Sequence, residues 1–227
     1  MTADRDSRQP DLAVFDVDGT LVDSNYHHVI AWARAFRRFD VTVPNWRVHR
    51  SIGMGGDRLV EHVAGEDVER RLGDDLRSAN DEEYQRVMGE VLPFAPARDL
   101  LLAVRKAGLQ VVLASSGKQY EVDHNLDLLD ARAIAEVWTS SDDAGESKPA
   151  PDILQVAIDK VGGGTPVMVG DSVWDVEAAN RIDVPTVCVR TGGFGADELR
   201  EAGAAEVWES LEELMHSLDR SLLGGGR

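Results

Sequence analysis

A chain of 227 residues suits one large domain, or one domain carrying an insertion, and it can bury enough surface to fold without a disulfide or a structural metal. Apolar residues make up 43% and charged residues 29%, a composition that excludes global disorder. With 41 Asp and Glu against 24 Lys and Arg the net charge is −17, which repels nucleic acid and anionic lipid and excludes both as default partners.

The first ten residues are polar and mixed in charge, and the first apolar run, Leu12 to Phe15, is too short for a signal-peptide core or a membrane span. A cytoplasmic protein is expected. That run reads as a buried strand. From Ser24 to about Leu92 only helical periodicity follows. Ala31, Ala35 and Phe39 recur every four residues, Leu59, Val60 and Val63 follow the turn Gly53-Met54-Gly55-Gly56, and a polar helix covers 67–88. Trp32 and Phe36, at helical spacing, read as core of this segment, and the acidic stretch at 81–83 as a solvated helix face. Beyond Pro93 strands and helices alternate. A helix at 98–107 stops at Gly108, and a strand at 110–114 leads to a helix at 118–129 that Ser115 and Ser116 are placed to cap. A strand at 136–138 and a helix at 151–161 follow, then a strand at 167–170 and a helix at 174–182 that stops before Pro185. Strands at 186–189 and 206–208 complete the set, and Gly224 to Arg227 read as a disordered tail. The lone cysteine, Cys188, lies in an apolar strand, so a buried inert thiol in a reducing compartment is expected.

Strands without polar alternation are covered on both faces, and their alternation with helices predicts a doubly wound, Rossmann-like parallel α/β sheet. Residues 1–23 and 93–227 would form this core, with 24–92 inserted as a helical domain. Ligands of such sheets bind beyond the carboxyl ends of the strands. Those ends carry Asp16 and Asp18, then Ser115-Ser116-Gly117, then Lys148 on a loop, then Asp171 and Asp175. Asp16, Asp18 and Asp171 gathered together would repel unless a cation sits among them, and a sparse set of oxygen ligands suits Mg²⁺. Mg²⁺ and Lys148 make a positive pocket for phosphate, to which Ser115 and the N–H groups of Ser116 and Gly117 can add. One ionised aspartate can then attack phosphorus while the other serves as acid and base.

Asp16-x-Asp18-Gly19-Thr20-Leu21, the serine after Val-Val-Leu-Ala, Lys148-Pro149-x-Pro151-Asp152 and Gly170-Asp171-x-x-x-Asp175 together resemble the four motifs of the haloacid dehalogenase superfamily, in order and over nearly the whole chain. The insertion resembles the small helical cap of the phosphoglycolate phosphatase and β-phosphoglucomutase branch. The resemblance implies that Asp16 is the nucleophile and Asp18 the acid/base, that Ser115 and Lys148 bind phosphate, and that Asp16, Asp18 (through its carbonyl) and Asp171 hold Mg²⁺ with support from Asp175. The implied reaction is hydrolysis of a small phosphorylated metabolite, as in phosphoglycolate phosphatase, by a monomer or homodimer. Dehalogenases of this superfamily lack the second aspartate, and phosphonate hydrolysis would need a cap lysine, of which 24–92 has none. Two alternatives stay open: a sugar-phosphate mutase, for which Arg50 or Arg58 beside the neutral cap loop would grip a second phosphate, and a non-catalytic phosphometabolite-binding protein. His28 and Arg50 are the candidate substrate ligands of the insertion.

Overall fold

The computed structural model describes residues 9–143 and 145–224. Its elements in chain order are β1 (Leu12–Phe15), α1 (Asn25–Arg38), α2 (Asn45–His49), α3 (Gly56–Ala64), α4 (Glu66–Val87), α5 (Ala97–Ala107), β2 (Gln110–Ala114), α6 (Gln119–Leu128), β3 (Val137–Thr139), α7 (Asp152–Lys160), β4 (Pro166–Gly170), α8 (Val173–Asn180), β5 (Thr186–Val189), α9 (Ala196–Ala202), β6 (Glu206–Trp208) and α10 (Leu211–His216). All six strands pair in parallel in the order β3-β2-β1-β4-β5-β6.

The side-chain alternation of a strand divides the core into two layers. Ala13, Phe15, Val111, Leu113, Val167 and Val169 face one way, onto Leu100, Leu101 and Val104 of α5 and onto α6 and α10. Leu12, Val14, Val112, Ala114 and Met168 face the other way, onto Leu154, Ala157 and Ile158 of α7 and Ala179 of α8. Polar positions are absent from the middle of these strands because neither face meets water. Strand order reverses direction at β1, which pairs with β2 on one side and β4 on the other, and this opens a crevice at their carboxyl ends.

The helices between β1 and α5 have a separate core, in which Trp32, Phe36, Leu59, Val60 and Leu76 pack together. The Trp32 and Phe36 rings lie 5.7 Å apart. Two strands of chain join this segment to the sheet, and they run side by side. The Asp23 N–H donates to the Leu92 carbonyl at 2.9 Å, and the Phe94 N–H donates to the Leu21 carbonyl at 3.0 Å.

Four sequence expectations need correction. β3 begins one residue later than expected, because its ladder runs from Val137, opposite Val112, to the buried Thr139, leaving Glu136 exposed at the start. Neither Ser115 nor Ser116 caps α6: its N-cap position is Lys118, with no side-chain cap bond, and Ser115 Oγ accepts the Gly117 N–H at 3.0 Å instead. The acidic stretch at 81–83 is not simply solvated, since Glu83 is buried against Arg34, Arg38 and Arg86, and Asp81 is ion-paired with Lys118. Of the expected disordered tail, Gly224 closes a short 3-10 turn, and residues 225–227 lie outside the described residues. Cys188 is buried, as expected, and burial raises its thiol well above the ordinary range.

Candidate active site

Three buried carboxylates converge in the crevice. Asp16 extends β1, Asp171 extends β4, and Asp175 lies in the first turn of α8; each offers an oxygen within 4.8 Å of the other two. Parallel pairing of β1 with β4 places the first two side by side. Asp175 is brought in by a reciprocal cap, in which its Oδ2 accepts Ser172 Oγ at 2.7 Å and the Ser172 N–H at 3.1 Å.

Lys148 closes the group. Its Nζ is ion-paired with Asp16 Oδ1 and lies 2.7 Å from Asp175 Oδ1, and the side chain is 1% exposed. Burial works against the ammonium, but Asp16 and Asp175 hold it protonated and lift its pKa above that of an ordinary lysine. Burial likewise raises the Asp16 carboxyl, to about 7, against the pull of Lys148 and with added repulsion from Asp175 and Asp18. Asp171 is raised too, by burial and then by Asp175 and Asp16, although Thr20 and Asn25 donate to it.

That imbalance tests the expected metal. One ammonium against three buried carboxylates leaves negative charge uncompensated, and the donor atoms are hard oxygens. A divalent cation supplies the missing charge and reverses the rise in the carboxyl pKa values. The residues present therefore fit such an ion.

Asp18 sits apart from this trio. Its Oδ1 accepts Ser24 Oγ at 2.6 Å and lies 3.3 Å from His28 Nε2, while Oδ2 lies 3.5 Å from Ser115 Oγ. Burial opposes its ionisation, but His28, Ser24 and Lys148 outweigh it, so the carboxyl stays below its ordinary value. His28, in turn, loses to burial and gains more from Asp18, so its pKa is raised; its ring stacks on Tyr84 at 4.0 Å. The two aspartates thus have opposite environments. Asp16 faces Lys148 and the carboxylates, and Asp18 faces the cavity and α1.

Ser115 is buried beside Asp18, and Ser116 and Gly117 line the cavity. The Gly117 N–H already donates to Ser115 Oγ, so in this arrangement Ser116 supplies the freer backbone donor. Arg50 is not among the cavity-lining residues. It is ion-paired with Glu198 of α9, and its guanidinium lies 3.9 Å from the centre of the Phe194 ring. Arg58 is ion-paired with Glu146.

Sequence reasoning gave no role to several residues that hold the site. Thr20 Oγ1 lies 2.9 Å from Asp171 Oδ1 and 3.3 Å from Asp16 Oδ2, bridging two strand ends. Asn25 donates to Asp171 Oδ2 at 3.1 Å, and Thr191 donates to the Gly19 carbonyl at 2.6 Å. Gly19 has φ +76°, and a Cβ there would lie 2.5 Å from Asp171 Oδ2, so glycine is required for both conformation and space. Thr20 stood inside a recognisable motif. Asn25 and Thr191 carried no sequence signal.

The helical segment closes over the crevice through its glycine turn. The Gly55 N–H donates to Ser147 Oγ at 3.0 Å, next to Lys148, and Trp174 Nε1 donates to the Arg50 carbonyl at 3.1 Å. A side chain at position 55 would meet Ser147 at 2.5 Å, so the small neutral loop serves close approach.

Residues 10–183 match the family model of haloacid dehalogenase-like hydrolases. The chain belongs to that family and is a hydrolase of its α/β type. A phosphoglycolate phosphatase from Colwellia psychrerythraea is 23% identical over 223 residues, covering 94% of this chain and 99% of that protein. One from Shigella boydii is 29% identical over 229 residues, covering 90% of each. Among solved structures, a hydrolase from Pseudomonas syringae superposes with a TM-score of 0.86 at 31% identity, covering 92% of this chain and 98% of that one. Among the described residues no helix is long and apolar enough to cross a membrane.

Proposed function

We propose that the protein is a Mg²⁺-dependent phosphomonoesterase of small phosphorylated metabolites, working through a phospho-enzyme on Asp16. The observation that carries this reading is the separation of the two aspartates: Asp16 is paired with the buried Lys148, and Asp18 is turned toward the cavity and His28. The relatives named as phosphatases support the same reaction class.

Lys148 fixes one oxygen of Asp16 and leaves the other to attack phosphorus. The Asp16–phosphorus bond forms as the ester P–O bond breaks, and the departing alkoxide takes a proton through Asp18 from the protonated His28 ring that faces it. Asp18, held ionised by Ser24, then takes a proton from the water that attacks the phospho-aspartate and returns it to the His28 ring. That second displacement releases phosphate and restores the Asp16 carboxylate and the protonated Asp18–His28 pair. Ser115, Lys148 and the N–H of Ser116 bind the equatorial oxygens of the transferring group. Asp16, Asp171 and Asp175, with the Asp18 carbonyl, would hold Mg²⁺, which would supply positive charge against the phosphoryl oxygens. Residues 24–92 act as a cap that admits substrate by turning about the paired connections near Ser24 and Pro93, and closes to exclude water. The buried single cysteine agrees with a cytoplasmic location.

A mutase would need a free cation in the cap to hold a second phosphate. Arg50 and Arg58 are both ion-paired, which favours hydrolysis. Hydrolysis of p-nitrophenyl phosphate in Mg²⁺ tests the proposal, combined with intact-mass detection of phosphorylated protein in Asp18→Asn. Asp16→Asn should show neither turnover nor phosphorylation; full turnover by that variant would overturn the mechanism.

A further inference from the structure

The cavity between the helical segment and the sheet has a volume of about 320 Å³ and runs from Asp16 and Asp18 to a wall made by α4 and the start of α6. Apart from those two aspartates and His28, its charged lining residues are Asp57, Asp81, Glu121 and Glu146 against Arg77 and Lys118. Both cations are already engaged. Arg77 donates to the two Glu69 oxygens at 2.9 and 3.0 Å, to Asp74 at 2.9 Å and to the Gly56 carbonyl at 3.2 Å. Lys118 is ion-paired with Asp81. A substrate with a second anionic group finds no unengaged arginine or lysine on this wall.

Glu121 is the exception among the acids. Asp81 pairs with Lys118, Glu146 pairs with Arg58, and Asp57 accepts from Ser147. Glu121 is 6% exposed, and among the described residues its only hydrogen-bond donor is the Tyr120 hydroxyl, 2.9 Å from Oε1. No lysine or arginine of the described residues pairs with it, and burial raises its carboxyl above the ordinary value against the partial pull of the His28 ring. Its Oε2 lies 2.6 Å from where a Cβ of Gly117 would stand, so it borders the turn after Ser115. On the same cavity, Asn80 is 8% exposed, and its amide oxygen has no hydrogen-bond partner. Buried acceptors left without donors are costly, and a buried carboxylate without a cation more so. An ammonium group brings three donors and no acceptor, which answers both.

Resting on the phosphatase reading above, we infer that this cavity selects phosphomonoesters whose leaving alcohol carries a protonated amine, with Glu121 as its ion-pair partner and Asn80 as a second acceptor. The volume lies at the small end of ligand sites, so the class is short amino alcohols or a single amino sugar. Carboxylate-bearing esters and bisphosphates are disfavoured, because their second charge would face Glu121 and the engaged wall.

The test compares esters that differ at one group. Aminoethyl phosphate, hydroxyethyl phosphate and phosphoglycolate share a two-carbon frame, and glucosamine and glucose esterified at the primary hydroxyl give a larger pair. Phosphate release in Mg²⁺ yields kcat/KM for each with wild type and Glu121→Gln, and p-nitrophenyl phosphate serves as the reference ester. In the frame that turns over faster, the amine ester should lead by about tenfold or more, the worth of one charge-assisted pair. Glu121→Gln should bring the amine-to-hydroxyl ratio close to one. That ratio is read within each protein, so partial loss of folded material does not affect it. A carboxylate or hydroxyl ester leading in both frames, or a ratio unmoved by Glu121→Gln, would overturn the inference while p-nitrophenyl phosphate turnover leaves the phosphatase reading standing. If no ester is hydrolysed, the phosphatase reading fails by itself. Calorimetric binding of the same esters to Asp16→Asn then decides: tighter binding of the amine esters supports the selectivity, and equal or reversed affinities overturn it.

Discussion

The ring of Asp16, Lys148, Asp171 and Asp175 and the cavity wall of α4 and α6 are both rich in charge, but they are organised in opposite ways. In the ring every group is buried and reaches the crevice from a strand end, a loop or the first turn of a helix, and the strand-end aspartates are held by residues distant in sequence, as Asp171 is by Thr20. On the wall Arg77 is neutralised by Glu69 and Asp74 of its own helix, and Lys118 and Asp81 neutralise each other between α6 and α4. The ring is short of positive charge and the wall has little to spare. On the proposed reading, chemistry belongs to the first and choice of substrate to the second.

The strongest way to break that contrast is at the nucleophile. Asp16→Asn should lower kcat for an aryl phosphate by roughly 10⁴-fold or more while circular dichroism and the urea midpoint stay near wild type. Chelation with EDTA comes next: turnover should stop, and the urea midpoint should fall because the cation binds only the folded site, both returning when Mg²⁺ is restored. Lys148→Met leaves three buried carboxylates without their ammonium, so the metal-free protein should lose about 3 kcal/mol in urea unfolding as well as turnover. Thr20→Val removes the hydroxyl between Asp16 and Asp171. It should cost about 1 kcal/mol and weaken Mg²⁺ activation roughly tenfold in a titration of rate against metal. Smallest of all, Arg77→Met on the wall should cost about 1 kcal/mol or less and leave kcat for a small aryl ester close to wild type. A large catalytic loss there would erase the distinction between ring and wall.

The same contrast governs what could be read without coordinates. β1, β2, β4 and β5 were legible because burial on both faces leaves an apolar run with no polar interruption. Residues at the ends of those strands were legible as a group, since a parallel sheet delivers all its carboxyl ends to one edge. Pairings made across the fold were not. Arg50 looked free beside the glycine turn, but its partner Glu198 is 148 residues away. Glu83 looked solvated in a run of acids, yet it is buried among three arginines brought by α1 and α4. The direction of Asp18 likewise depends on Ser24 and His28, whose positions follow from how α1 leaves the sheet rather than from any local spacing. Glu121 gave no signal at all, since a glutamate in a first helical turn is ordinary until its surroundings are known.

The paired crossings at Val22 and Pro93 carry a consequence for how such a chain is built. Both exits of the helical segment leave the sheet through one doorway, so a tight turn joining them would shorten the protein by a whole compartment without moving any strand. On the proposed reading, the part of the cavity wall that α4 brings, with Asn80, could thus be exchanged by splicing other helices at that doorway, whereas Glu121 on α6 would stay with the sheet and its carboxylates.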